Sequence, residues 1–206
     1  MTDRSSVPGG SFEGMRRALR RDLDQVREIW VDAFQADPFF RWIAPADDAY
    51  TAYASGWLQF IAELAFERGH MFVSEVAAIA WIPPDVSLVG PDDIARGRGI
   101  IAAHSSEARA DEALDTIIRT RGHAGEDSHW VLQYVGVRAS SWGTGAGLEA
   151  VAPGLSRVDD DGLPCELSST NPRNVSFYER LGFLVTAEEA TPDGATAIRP
   201  MRRAAT

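Results

Sequence analysis

Residues 129–147, HWVLQYVGVRASSWGTGAG, decide the fold of this protein. β-Branched and aromatic residues dominate the first nine positions, which predicts a strand. A loop with glycines at 143, 145 and 147 follows, and residues 147–162 predict a helix that Pro153 should kink. Glycines let a backbone approach an anion, and the N–H groups at a helix N-terminus attract one. The stretch therefore predicts a phosphate-binding turn between a strand and a helix.

The glycine spacing alone does not identify the phosphate ligand. It reads GxGxG, whereas dinucleotide-binding folds use GxGxxG, and no Lys followed by Ser or Thr completes a nucleoside-triphosphate loop. The alternative interpretation is that these glycines only permit a tight turn from strand to helix.

A second motif, TNPRNVSFYERLGF at residues 170–183, carries a resemblance to a known family. The two motifs together resemble the GNAT superfamily of acetyltransferases, in which a Q/R-x-x-G-x-G/A loop after a splayed strand precedes an N-x-x-F-Y-x-x-x-G-F segment. A looser likeness over about residues 15–203 is to the branch that includes puromycin N-acetyltransferase. The positions of the later motif are occupied by Asn174, Phe177, Tyr178, Gly182 and Phe183.

The resemblance implies acetyl-CoA as the cofactor and transfer of its acetyl group to the amine of a small molecule by direct attack on the thioester. Backbone groups of Val135, Gly136 and Val137 would pair with the pantetheine arm, and the loop would hold the pyrophosphate. Asn174, Phe177 and Tyr178 would face the cofactor. The implied cofactor-binding loop comprises Trp142, Gly143, Thr144, Gly145, Ala146 and Gly147.

The same resemblance makes Tyr178 the predicted catalytic residue. A thiolate must leave when the amine attacks, and a phenol with an ordinary pKa of about 10 stays protonated at neutral pH and can donate. The structural alternative is a packed aromatic residue in FYERLGF.

Two positions depart from the family pattern. Trp142 stands where Gln or Arg is usual, and its single N–H donor cannot replace their polar contacts. Ser168 stands where close relatives often carry Glu, and Glu166 lies two residues earlier on the same strand face. The general base is therefore open, with Asp37, Glu75, His129 or ordered water as candidates.

The rest of the chain predicts a mixed α/β fold. Helices are expected at residues 22–34, 47–68, 92–103 and 107–121, and a hairpin is expected from MFVSEV and AAIAWIPP. LPCELSS, FLVTAEE and TAIRPMRR predict further strands, with a short helix at NVSFYERLG. The GNAT resemblance implies a mostly antiparallel central sheet, splayed at the acyl-CoA strand, with helices on both faces. We expect a disordered tail at 1–13 and one domain at 14–206.

The acceptor side is expected to be an apolar pocket of aromatic character, because aromatic residues cluster in the first two helices and the segment that joins them. The alternative for these residues is burial in the core. The predicted substrate-binding residues are Phe39, Phe40, Trp42, Tyr53 and Trp57.

Composition excludes several other classes. The formal net charge of −10 argues against a nucleic-acid binder, and no apolar run approaches the length of a membrane span. The single cysteine, Cys165, rules out an internal disulfide and fits a cytoplasmic protein, while the histidines lack metal-ligand spacing. We expect a monomer or homodimer without metal. The rival functions are a non-catalytic acyl-CoA sensor and an acetyltransferase acting on protein N-termini or lysines.

Overall fold

A computed structural model describes residues 14–206, and the predicted tail at 1–13 lies outside the described residues. The helices are α1 (Leu23–Ala33), α2 (Pro38–Ile43), α3 (Asp47–Arg68), α4 (Pro91–His104), α5 (Glu107–Arg121), α6 (Ala146–Asp160) and α7 (Val175–Arg180). The strands are β1 (Arg16–Arg17), β2 (His70–Val73), β3 (Ala77–Ile82), β4 (Trp130–Val137), β5 (Cys165–Ser169), β6 (Leu184–Val185), β7 (Glu189–Ala190) and β8 (Ala197–Arg203). None of these helices is long and apolar enough to cross a membrane.

The strands form a central sheet in the order β1-β2-β3-β4-β5-β8-β6, and β7 pairs with β8. Every pair is antiparallel except β4 with β5, which is parallel. The predicted mixed α/β fold with a mostly antiparallel sheet is therefore confirmed.

Helices cover both faces of the sheet, as predicted. On one face, α1 and α3 pack against the central strands, α4 packs on α3, and α5 packs on α4 and against β7 and β8. On the other face, α6 packs against β3 and β4. The two apolar clusters are separate because β3, which is buried along its whole length, sends alternate side chains to opposite faces.

The sheet opens between β4 and β5. These strands are in register only at Trp130 with Cys165 and at Val131 with Glu166. Beyond Val131 they diverge, although β4 continues to Val137 and β5 to Ser169. The predicted splay is thus present, and it creates a wedge-shaped cleft in the middle of the sheet.

Two local features differ from the sequence predictions. Pro38 does not merely follow the first helix, because it opens the additional short helix α2 after Asp37. FLVTAEE is not one strand, since only Leu184–Val185 and Glu189–Ala190 pair with β8. The predicted helix after the glycine loop is present as α6 and contains Pro153.

Gly136 is needed where β4 crosses α1. A Cβ atom on Gly136 would lie 2.4 Å from Cδ1 of Trp30, a contact that real Cβ atoms do not make. Trp30 cannot easily move, because it is fully buried and its indole N–H donates to the carbonyl of Ala78 at 2.9 Å. Gly136 therefore sets the distance between α1 and the sheet.

We expect Gly136→Ala to lower the free energy of unfolding by about 1–3 kcal/mol, the usual cost of overpacking a core. The measurement is urea denaturation. Gly99→Ala is the matched control, because a Cβ on Gly99, in α4, would meet no atom within 4 Å, and a helical Gly→Ala change should stabilise slightly. Equal stability of Gly136→Ala and the wild type would contradict the steric argument.

Candidate active site

The loop between β4 and α6 forms a cradle of backbone N–H groups. Gly143 and Gly145 have φ of 77° and 99°, in the left-handed region that favours glycine. Within the described chain, no hydrogen bond engages the N–H groups of Gly143, Thr144, Gly145 or Gly147. These donors lie at the N-terminus of the 15-residue helix α6, whose dipole also favours an anion. The predicted phosphate cradle is thus geometrically available.

Beyond Val131, β4 has one edge that pairs with no strand among residues 14–206. The N–H of Arg138 donates to the carbonyl of Val76 beside β3, so the strand alternation directs the backbone groups of Gly136 toward β3 as well. The backbone groups of Val135 and Val137 then point to the opposite edge, where β5 has diverged. Of the three predicted backbone contacts, only Val135 and Val137 are placed to pair with an extended ligand.

Trp142 occupies part of this edge. Its indole N–H donates to the carbonyl of Val137 at 2.8 Å, and 55% of its surface is exposed. The tryptophan that replaces the usual Gln or Arg thus ties the loop to β4. A ligand that pairs with Val137 must compete with this hydrogen bond.

A cavity of about 420 Å³ lies between the splayed strands and the helices α3, α4 and α5. It brings together four predicted acceptor-side residues and three predicted cofactor-side residues. Trp42 does not line it, because the Trp42 indole donates to Asp193 and stacks under Arg109. The predicted residues in the cavity wall are Phe39, Phe40, Tyr53, Trp57, Val135, Asn174 and Tyr178.

Tyr178 lies on α7 at the cofactor side of this cavity. Its ring makes edge-to-face contacts with Phe177 and Phe183. Burial, and secondarily the nearby charge of Asp37, raises the pKa of Tyr178 to about 12. Because of this raised pKa, the proton remains on the oxygen at neutral pH. No group in the described chain hydrogen-bonds the hydroxyl, so the proton is free to be donated.

Of the other two predicted cofactor-side residues of this motif, Asn174 lines the cavity and Phe177 packs beside the glycine loop. Asn174 is exposed at the end of the 3-10 turn Pro172–Asn174, one helical turn before Tyr178, and it lines the cavity. Phe177 is half-buried and lies 3.8 Å from the place of a Cβ on Gly147. Phe177 therefore packs α7 against the start of α6 and positions the loop.

Asp37 links the acceptor side to the cofactor side. It is buried, it caps α2 by accepting from the N–H groups of Phe39 and Phe40, and its second oxygen accepts from the Thr170 hydroxyl at 2.6 Å. Thr170 lines the cavity just after β5. A helix cap was recoverable from the sequence, because Asp followed by Pro is a helix-start signal, but the contact with Thr170 was not.

The remaining base candidates fall in different places. His129 lines the cavity; its Nδ1 lies 2.7 Å from the carbonyl of Asp127, and its Nε2 lies 3.5 Å from Glu166. Glu166 also lines the cavity but is paired with Arg202. Ser168 faces the cavity without a carboxylate, and Glu75 is exposed in the β2–β3 turn, outside the cavity wall.

Two other chemistries find no support among residues 14–206. Cys165 is fully buried in β5, and burial raises the pKa of its thiol to about 12, which disfavours a nucleophilic thiolate. No group of three or more His, Cys, Asp or Glu side chains in this part of the chain could hold a metal.

The fold matches that of known acetyltransferases. A structure described as histone acetyltransferase HPA2 and related acetyltransferase, from Corynebacterium glutamicum, superposes with a TM-score of 0.64 at 23% identity, covering 93% of this chain and 96% of that one. Arylalkylamine N-acetyltransferase 2 from Aedes aegypti gives a TM-score of 0.59 at 11% identity, over 92% and 97% of the two chains. The protein therefore has the GNAT fold.

A sequence comparison gives a shorter match. An uncharacterized N-acetyltransferase of Schizosaccharomyces pombe is 36% identical over 59 residues, which is 29% of this chain and 24% of that protein. The match thus spans about a quarter of the length of the curated relative. No protein-family model matches the sequence.

We expect Asp37→Asn to change how stability depends on pH. Burial raises the pKa of Asp37, so the folded state binds its proton more tightly than the unfolded state, and its contribution to stability falls as pH rises from 3.8 through the raised pKa. Asn can still cap α2 and can donate to Thr170. The variant should therefore gain stability relative to the wild type as pH rises, measured by urea denaturation at pH 4, 5.5 and 7.

Asp48→Asn provides the control for this measurement, because it removes an exposed negative charge from the start of α3. If the wild type and Asp37→Asn keep a constant difference in unfolding free energy across this pH range, burial does not set the titration of Asp37.

Proposed function

We propose that this protein transfers an acetyl group from acetyl-CoA to the amine of a small molecule. One observation carries the proposal: an aromatic cavity containing Tyr178 lies where β4 and β5 diverge, and β4 runs on from Val135 in the wall of this cavity to the loop of N–H groups before α6. The GNAT fold supports the same reaction class, although fold alone does not fix an activity. The likeness to the puromycin N-acetyltransferase branch stays a prediction.

The cleft suits acetyl-CoA in both shape and polarity. The free N–H groups of residues 143–147 would hold the pyrophosphate, and the backbone groups of Val135 and Val137 would pair with the pantetheine amides. The backbone groups of Gly136 face β3, so they would not pair with the cofactor. The contribution of Gly136 would be that it has no side chain and lets α1 pack closely on β4. Asn174, Phe177 and Tyr178 would line the other side. Acetyl-CoA supplies a thioester, an activated acyl group that an amine can attack.

Tyr178 would act as the general acid. In the balanced reaction, a C–N bond forms, the C–S bond breaks, the amine loses a proton and the sulfur gains one. Tyr178 is the group best suited to donate that last proton, because it lines the cavity and its hydroxyl is protonated and free of hydrogen bonds within the described chain. Proton donation by a positioned side chain commonly raises the reaction rate by a factor of about 10²–10⁴.

The proton of the amine would pass through ordered water to His129, which lies six residues before Val135 and therefore about 20 Å along the strand from it. Among the three side chains that the sequence suggested, His129 is the one in the cavity wall, whereas Asp37 lies behind Thr170 and Glu75 lies elsewhere. Its Nδ1 must be protonated to donate to the Asp127 carbonyl, which leaves Nε2 as the basic nitrogen in the neutral ring. Glu166 lies beside that nitrogen and would stabilise the ring once it is protonated.

A small acceptor fits better than a protein. The acceptor side belongs to the cavity of about 420 Å³ walled by α3, α4 and α5, which is within the usual size range of small-molecule sites and unlike an open groove for a polypeptide. We further propose that residues 14–206 form one domain and that it acts in the cytoplasm as a monomer or homodimer. Intact-mass measurement of candidate target proteins tests the rival reaction on N-termini or lysines.

We expect acetyl-CoA at a hundred times its Kd to raise Tm by roughly 5–10 °C, because such saturation adds about 2.7 kcal/mol. Gly145→Ala should lose most of this shift, since Gly145 has φ of 99° at the centre of the cradle. Gly162→Ala is the matched control: its φ is 62°, it has open space around a Cβ and it lies in the α6–β5 turn. It should lose stability but keep the shift.

Absence of any shift at millimolar acetyl-CoA in the wild type would overturn the proposed cofactor site. An equal loss of the shift in Gly145→Ala and Gly162→Ala would show that the cradle geometry is not responsible for binding.

We expect Tyr178→Phe to bind acetyl-CoA with nearly unchanged affinity while kcat falls by about 10²–10³, as loss of a general acid implies. CoA release with an accepted amine gives kcat. Tyr50→Phe is the control, because the Tyr50 hydroxyl donates to the Val31 carbonyl outside the cavity, so that variant loses about 1 kcal/mol of stability but no activity. Wild-type binding without CoA release for any amine would indicate the non-catalytic sensor instead.

A further inference from the structure

The cavity wall contains few charges, and all but one of them are paired. Asp93 binds Arg68 at 2.5 Å. Glu166 binds Arg202, and His129 lies beside Glu166. The exception is Arg121, the last residue of α5. This residue has no ion pair or side-chain hydrogen bond to any other residue in the described chain.

The lack of a partner is unusual for this helix. Arg109 on α5 pairs with Glu112 and Asp193, and Arg119 pairs with Glu189. Arg121 reaches the protein surface, yet surrounding protein desolvates its guanidinium enough to lower its pKa. An exposed guanidinium in the cavity wall that pairs with no carboxylate of the described chain is available to bind an anionic group of a ligand.

Two opposite charges, those of Asp37 and Arg121, act on Tyr134 in the cavity wall. Asp37 lies behind Thr170 near Tyr178, and its charge raises the pKa of both Tyr178 and Tyr134. The charge of Arg121 instead lowers the pKa of Tyr134. Tyr134 thus lies within range of both charges, with the negative one toward the proposed general acid and the positive one toward the end of α5.

We propose that the acceptor is an aromatic amine that carries a carboxylate, such as an aromatic amino acid, and that Arg121 binds this carboxylate. The guanidinium can hold a carboxylate by two parallel hydrogen bonds. The ring would lie against Phe39, Tyr53 and Trp57 on the apolar wall. The amine would then lie toward Tyr178 and Thr170, behind which Asp37 is buried. The inference rests on the proposed function, because it names the substrate class of the same site.

Binding of non-reactive ligands tests the carboxylate site apart from catalysis. We expect the wild type to bind 3-phenylpropanoate at least tenfold more tightly than its uncharged amide by titration calorimetry. Arg121→Gln should remove this preference and Arg121→Lys should keep part of it. Arg21→Gln should keep all of it, because Arg21 is an exposed arginine outside the cavity. Equal affinity for acid and amide, no binding of either, or an unchanged preference in Arg121→Gln would each overturn the proposal.

Kinetics separate this proposal from the proposed function. Phenylalanine and 2-phenylethylamine differ by the carboxylate, and kcat/KM should be at least tenfold higher for phenylalanine in the wild type. In Arg121→Gln, KM for phenylalanine should rise at least tenfold while KM for 2-phenylethylamine stays constant. Acetylation of 2-phenylethylamine with no preference for phenylalanine would preserve the acetyltransferase and reject the carboxylate site. Failure of acetyl-CoA to raise Tm would instead reject the acetyltransferase.

A last measurement excludes the cofactor as the source of the anion. Acetyl-CoA carries a 3′-phosphate that 3′-dephospho-acetyl-CoA lacks. Arg121→Gln should bind both with wild-type affinity. A selective loss of acetyl-CoA affinity in this variant would assign Arg121 to the cofactor phosphate and overturn the carboxylate proposal.

Discussion

The divergence of β4 from β5 is the constraint on which the rest of the structure depends. Parallel strands pair by continuous backbone hydrogen bonds, and here that pairing stops after Val131. The backbone groups of Val135 and Val137 are thereby left without a strand partner. The same divergence opens the cavity and places Tyr178, on the β5 side, opposite the free edge of β4. One interruption of a sheet therefore produces an unpaired strand edge and a cavity together.

Close packing of α1 against the sheet keeps β4 in position. Gly136 lets Trp30 of α1 lie directly against the strand, and Trp30 is fixed in turn by its hydrogen bond to Ala78. Asp37 then joins the helical half to the loop after β5 through Thr170. This arrangement allows the wedge to stay open, because its two walls are held by α1 and by a buried polar contact rather than by each other.

Most secondary structure was predictable because hydrophobic periodicity and turn residues act locally. The helix at residues 47–68 has the predicted bounds, and the strands around the glycine loop lie where β-branched residues indicated. Helix α2 was missed because Asp37 and Pro38 also suit a turn, and only burial of Phe39 and Phe40 selects the helix. The predicted strand FLVTAEE is broken because β8 pairs with its two ends only.

The sequence by itself determined the cradle, the motif on α7 and the mixed α/β fold, because glycine conformations, residue spacing and apolar periodicity are local properties. Only the tertiary structure decided which residues share a cavity. It placed Trp57 and Tyr178 in the wall of one cavity, left Trp42 outside, and directed the Trp142 indole N–H to the Val137 carbonyl. It also left Arg121 at the cavity without an ion pair to any of residues 14–206. Burial and charge pairing join residues far apart in the chain, so no sequence pattern contains them.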